Sequence, residues 1–259
     1  KTGFNEAFII SGEKRKELIE KDPKSEEIIR PILRGRDIKR YSYEFADLYL
    51  LFIPWHFPLH NDTSIVGASE KAEQEFKNQY PAVYSHLLKY KDQLSNRNKA
   101  ETGIHYEWYA LQRWGANYWE DFYRHKIIYP ETTQGAYFAY DKNSNFIDKT
   151  AFILISKDPL FLLSILSSKL FSYSYKKIFS SIELGESAYQ YNKHALEKLP
   201  IAKLKQEEQV PFLRLMNEIL NSKNNGVNAD TISLEKELDT LIYNLYNITE
   251  EEVNFIESQ

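Results

Sequence analysis

The chain has 259 residues, 42% of them hydrophobic and 27% charged, a globular balance that can bury a core without cross-links. Cysteine is absent, which excludes a disulfide framework, a thiolate zinc site and a cysteine nucleophile, and fits a reducing cytoplasm. The net charge of −4 argues at first against a nucleic-acid binder, but residues 206–259 carry 3 basic and 11 acidic side chains, which leaves the rest at +4; a phosphate senses only charge within a Debye length of about 10 Å.

In chain order, Glu13 to Glu20 reads as a short surface helix. Asp22-Pro23 followed by Ser25 to Ile29 reads as an N-cap, a proline at the first helical position and a second short helix. Tyr49 to Ile53 is an apolar run ended by Pro54, the pattern of a buried strand. Ala68 to Asn78 and Pro81 to Leu94 are predicted helices, the second with Val83, Leu87, Leu88 and Leu94 on one side. Lys126 to Tyr129, Ala136 to Tyr140 and Thr150 to Ile155 read as strands, with Asp141 to Asn145 as a turn. Asp158-Pro159 opens a long helix to about Ile178. Gln206 to Ser222 and Ser233 to Tyr246 are amphipathic, and Thr249 starts a last helix with three acids in its first turn, where the macrodipole favours them.

Strands grouped in the middle and helices at the end, without regular alternation or repeats, predict an α+β fold. The expected architecture is a central mixed or antiparallel sheet with flanking helices. Residues 1–203 would form one domain, and 204–259 a helical extension packing on it. No apolar run approaches the ~20 residues of a membrane helix, and no signal peptide is present, so a cytoplasmic location with no membrane contact is expected. The sequence begins at Lys1 without an initiator Met and reads as a fragment of a longer chain.

Familiar catalytic signatures are missing. No two glycines stand two apart, which excludes the Gly-x-Gly loop of dinucleotide or S-adenosylmethionine sites and a phosphate-binding P-loop. The Asn/Asp-Pro-Pro-Tyr/Phe tetrapeptide that holds a flipped base is absent. Asp22/Lys24, Asp37/Lys39 and Glu75/Lys77 have the short acid-x-Lys spacing of Mg²⁺ nucleases, but chance produces it in a chain this charged. His56 and His60 lack a third zinc ligand and flank Pro58. Gly185-Glu186-Ser187 lacks the second glycine of a nucleophile elbow, with Tyr189 in its place.

Four stretches carry polar chemistry. Arg30 to Arg40 packs five cations and one anion into eleven residues around Gly35. Arginine forks suit phosphate oxygens or a guanine edge, while an Asp37–Arg pair fixing the loop is the alternative. Arg34, Gly35, Arg36 and Asp37 are therefore either structural or DNA-contacting, with Lys39 and Arg40 the more exposed pair. His105 to Trp114 mixes rings with Gln112 and Arg113, residue types that read adenine and guanine; a packed Trp108 with Arg113 in an ion pair is the other reading. Glu131 to Gly135 is a polar loop tip or a plain turn. Lys176-Lys177, Ser180-Ser181 and Tyr189 to Lys193 form a second basic stretch. From composition alone this is an α+β domain with nucleic-acid-binding character in its body.

Several segments, in order, resemble the TaqI-like C-terminal specificity domain, found in type II restriction-modification enzymes with a fused adenine-N6 DNA methyltransferase. They are Lys1 to Phe8, Ile29 to Tyr41, Tyr80 to Arg97, Trp108 to Arg113, Lys126 to Pro130, Leu163 to Leu170, Leu196 to Ile201 and Leu238 to Tyr246. The family usually has Asn where this chain has Ser167. The resemblance implies that an N-terminal methyltransferase domain of the same parent chain binds S-adenosylmethionine, with Mg²⁺ if the parent also cleaves. This chain would hold double-stranded DNA and choose the sequence, with no catalysis or cofactor of its own. Such a division suits base flipping, because the target adenine must leave the stack while the duplex is held in register. Phosphate contacts are expected from Lys39, Arg40, Lys176, Lys177 and Lys193. Base readout is expected from Gln112, Arg113, Thr132, Thr133, Gln134 and Gln190. The rival classes are a docking module that uses the acidic helices of 206–259, and a hydrolase without a familiar motif.

Overall fold

Short capping side chains punctuate the first hundred residues. The computed structural model describes residues 1–97, 106–179, 183–184, 188–226 and 229–259, and these fall into two compact units. The first unit holds Lys1–Ile32 and Phe45–Tyr123. In it α1 (Asn5–Phe8) leads into β1 (Ile9–Ser11), and Ser11 caps α2 (Gly12–Lys21) by accepting from the Lys14 amide at 3.2 Å. Asp22 ends α2 and caps a 3-10 helix, Pro23–Ile28, by accepting from the Lys24 amide. The chain then extends into β2 (Ile29–Leu33), and β3 (Leu48–Leu51) pairs antiparallel with both β1 and β2.

Ser69 caps α3 (Glu70–Gln79), Pro81 opens α4 (Pro81–Leu88), and α5 (Lys91–Ser95) follows. Rings fill much of this unit's interior: Phe76 stacks on Tyr109 at 4.5 Å and Trp55 on Tyr106 at 5.1 Å. The buried Arg97 guanidinium donates to the carbonyls of Thr2, Leu94 and Trp108, so it ties two loops to the last turn of α5. A 3-10 helix, Trp119–Tyr123, closes the unit.

The second unit holds Leu33–Glu44 and Arg124–Gln259. Its first sheet places β4 (Lys126–Pro130) between β6 (Ala139–Asp141) and β8 (Ala151–Leu154), both antiparallel. Between these lie β5 (Thr132–Thr133) and β7 (Phe146–Ile147). Helices α6 (Pro159–Leu166) and α7 (Lys169–Ser174) follow, then a π-helical turn, Tyr175–Phe179. The strands β9 (Glu183–Leu184) and β10 (Ala188–Gln190) precede α8 (Lys193–Leu196), α9 (Gln206–Asn225), α10 (Ile232–Leu245) and α11 (Glu250–Glu257).

The α+β class holds, but the strands form several small sheets rather than one central sheet. The compact units exchange at 32/33, 44/45 and 123/124. Phe212, Leu215, Met216 and Ile219 of α9 and Leu238 and Ile242 of α10 share one buried cluster with Ile127, Phe138 and Phe161, so these two helices are part of the core rather than an appendage. Helix 81–94 is interrupted by 3-10-type bonds from Lys89 to His86 and from Tyr90 to Leu87. The long helix expected from Asp158 breaks at Ser167-Ser168. There the Ser168 hydroxyl donates to the Ile165 carbonyl and accepts from the Phe171 amide, which ends one helix and caps the next. Ser25 to Ile29, expected as helix, gives a 3-10 helix and the first residue of β2.

Asp239 of α10 finishes that junction by accepting from the Lys169 amide at 2.9 Å. Burial pushes its carboxyl up to about 6, against the opposing pull of the Lys169 amide, Arg40 and Lys169. A raised carboxyl binds more protons folded than unfolded, so stability falls as pH rises from about 4 to 6. Asp239→Asn should remove about 2–3 kcal/mol of that slope while its amide oxygen still accepts from Lys169. Urea midpoints at pH 4.5 and 7.5 measure this; an unchanged difference between them refutes it.

Candidate nucleic-acid interface

The second unit gathers polar residues on a small sheet above a bed of rings. β10 pairs antiparallel with β5 and β9, with Gln190 opposite Thr132 and Tyr189 opposite Thr133. Side chains alternate across a strand, and burial follows that rule. Tyr189, Tyr191 and Thr133 are buried, whereas Thr132 is exposed and Gln190 half-buried, so Thr132 and Gln190 form a cross-strand pair on the outer face. Thr133 turns the chain after β5: its hydroxyl donates to the Gly135 carbonyl at 2.6 Å and accepts from the Gly135 amide at 3.2 Å. That turn leaves Gln134 exposed at the tip.

Beneath lie Tyr175, Tyr189 and Tyr191, with Tyr191 centred 4.8 Å from Tyr175 and 4.9 Å from Phe138. Burial raises all three phenols, Tyr191 well above the usual range, so they remain protonated donors. The Tyr175 hydroxyl donates to the Gln190 carbonyl at 3.0 Å and accepts from the Asn192 amide at 2.7 Å. The next two residues, Lys176 and Lys177, are exposed on the π-helical turn. Asn192 caps α8 by accepting from the His194 amide, which sets Lys193, 70% exposed, three residues beyond the end of β10. Lys193 is 3.7 Å from Glu197, a solvent-exposed pair of little strength.

Thus Thr132, Gln134 and Gln190 share one strand pair and its tip, and the Tyr175 hydroxyl ties that strand to the turn carrying Lys176 and Lys177. Thr133 is corrected, because it is buried and its hydroxyl is spent on Gly135, and other expected contacts are drawn inward as well. Arg40 is corrected: its Nε and Nη2 bond Glu235 of α10 at 2.9 and 2.7 Å, and its guanidinium lies 4.8 Å from the Tyr41 ring centre. It ties residues 33–44 to the C-terminal helices instead of facing a phosphate. Lys39 is half-buried, with its ammonium on the Arg36 carbonyl at 2.9 Å. Arg34 forks onto Asp37 at 2.9 and 2.7 Å, and Asp37 also accepts from the Arg34 amide. Burial pushes the Asp37 carboxyl up, but these bonds hold it below the usual range. Gly35 donates its amide to the Thr150 hydroxyl, and a Cβ there would strike the Thr150 carbonyl. Arg34, Gly35 and Asp37 are therefore structural; Arg36 is exposed.

Gln112 and Arg113 belong to the first unit. Gln112 is only 3% exposed, which removes it from a base-facing surface; Arg113 is exposed. Trp108 is packed, its indole N–H donating to Glu73 at 2.8 Å. The His56 ring sits 2.9 Å from Glu107, a carboxylate that also accepts from the His56 and Ser69 amides, so it organises a loop. His105, Ser180-Ser181 and Gly185-Glu186-Ser187 lie outside the described residues. Tyr175 and Asn192 were missed by sequence reasoning.

These features define an α+β module with small sheets that present polar tips. A family model described as the TaqI-like C-terminal specificity domain matches residues 30–201, and the chain belongs to that family. It is 22% identical over 251 residues to the type II methyltransferase M.MjaIV of Methanocaldococcus jannaschii, covering 95% of this chain and 76% of that protein. Among solved structures, the type IIL restriction-modification enzyme MmeI in complex with DNA matches with a TM-score of 0.65 at 14% identity. That match covers 100% of this chain and 34% of MmeI, so the chain spans about a third of its length, and the likeness is one of fold. Among the described residues, no helix is long and apolar enough to cross a membrane.

Proposed function

We propose that this chain is the DNA target-recognition module of a restriction-modification enzyme whose adenine-N6 methyltransferase chemistry, and its S-adenosylmethionine, belong to another part of the parent protein. The observation that carries the reading is the outward pair Thr132 and Gln190 with Gln134 at the adjoining tip, flanked by Lys176, Lys177 and Lys193. Amides and hydroxyls read base edges, and ammonium groups hold phosphates without regard to sequence. Membership of the specificity-domain family and the DNA-complexed fold neighbour support it. Helices α9 and α10 serve as scaffold here, since Phe212, Leu215, Met216, Ile219, Leu238 and Ile242 are buried within the unit.

The test is binding to a pool of random duplexes at 50 and 200 mM salt, followed by selection of preferred sequences. Binding should weaken steeply with salt. Gln134→Ala and Gln190→Ala should each relax one position of the selected site by about 1–3 kcal/mol. A chain that shows no salt-sensitive binding is a docking module instead.

A further inference from the structure

We infer that Tyr175 is a positioning residue that couples the phosphate grip to base readout. The inference rests on the reading above. Tyr175 opens the π-helical turn whose next two residues are the exposed Lys176 and Lys177. Its ring is fully buried among Phe171, Tyr189 and Tyr191, so the turn is anchored from below. Its hydroxyl bonds the backbone on both sides of Tyr191, at the Gln190 carbonyl and the Asn192 amide. One oxygen therefore fixes three things: the turn bearing two cations, the residue whose amide faces outward, and the residue that caps the helix beginning with Lys193. Burial raises this phenol, so it keeps the proton it donates to Gln190. A hydroxyl held in this way touches no base or phosphate. It sets the height and angle of Gln190 relative to the cations, and a side chain reading a base edge needs that relation fixed to within about half an ångström.

Tyr175→Phe keeps the ring and deletes the oxygen. The selected-sequence preference at the Gln190 position should flatten by about fivefold, the equivalent of one hydrogen bond. Affinity for random duplex and its salt slope should stay as in wild type, because the lysines remain. A purely structural role would not separate preference from affinity. Exchange of the Asn192 amide, followed by NMR, should speed up in Tyr175→Phe and report the lost bond even if the protein is destabilised. If Tyr175→Phe keeps the wild-type preference while Gln190→Ala loses it, Tyr175 is packing alone and only this inference falls. If wild type selects no sequence, or Lys176→Ala/Lys177→Ala binds as well as wild type, the recognition reading falls and takes the inference with it.

Discussion

Asp141→Ala should destabilise the second unit by about 3–5 kcal/mol, the usual result of removing one partner of a buried ion pair. Lys126 and Asp141 are both fully buried and meet at 2.6 Å across β4 and β6. Burial lowers the Lys126 ammonium, and Asp141 opposes that shift. The carboxylate also accepts from the Tyr43 hydroxyl, the Asn143 and Asn145 amides and the Asn145 side chain at 2.8 to 3.2 Å. Removing Asp141 therefore leaves a buried cation and several donors without their acceptor. Lys126→Met should cost less, because Asp141 keeps its other bonds. A double replacement by apolar residues should not be neutral either, since the Tyr43 hydroxyl and the Asn143 and Asn145 amides would still lose this acceptor. Urea unfolding monitored by tyrosine and tryptophan emission orders the three variants. If Lys126→Met proves the most damaging, the carboxylate is not the hub.

Lys176→Ala/Lys177→Ala/Lys193→Ala should weaken duplex binding on the order of 10²-fold at 0.1 M salt and lower the salt slope by roughly 0.9 per lost contact. These lysines are exposed, so truncation disturbs no core. Sequence preference should survive in the triple variant, because phosphate contacts carry no sequence information directly. Anisotropy titrations at four salt concentrations give the slope. An unchanged slope would mean that the basic stretch faces away from DNA. Arg40→Ala is the informative control. It should destabilise the unit through loss of Glu235 pairing and leave the slope nearly intact, although Arg40 lies in the most cation-dense segment of the sequence.

The legible part of this molecule was local. Asp22 and Thr249 announce helix starts because a side-chain oxygen satisfies an orphan amide within three residues, whereas Ser11 and Ser69, which cap in the same way, were not read as caps. The strand at 126–130 and the C-terminal amphipathic helices were readable from apolar spacing. Partners far apart in sequence were not. Glu235 is 195 residues from Arg40, and nothing in either neighbourhood says that they meet. The division of the long helix at Ser168 depends on Asp239, 70 residues beyond Lys169. The strand at 188–190 is too short for periodicity to stand out, and its partner is only two residues long. Of the proposed contacts, Thr132, Gln134, Lys176, Lys177 and Lys193 are exposed in the fold. Those in the richest motifs, Arg34, Arg40 and Gln112, were drawn inward by carboxylates or burial.

The two-residue period of the short ladder has an evolutionary consequence. Tyr189 and Tyr191 point down and Gln190 points up, so an inserted or deleted residue there would send a tyrosine outward and bury an amide. Under the proposed function, descendants of this protein would exchange the letters they recognise by point substitution at the outward positions. Changing the number of residues between those positions would first require rebuilding the floor on which they stand.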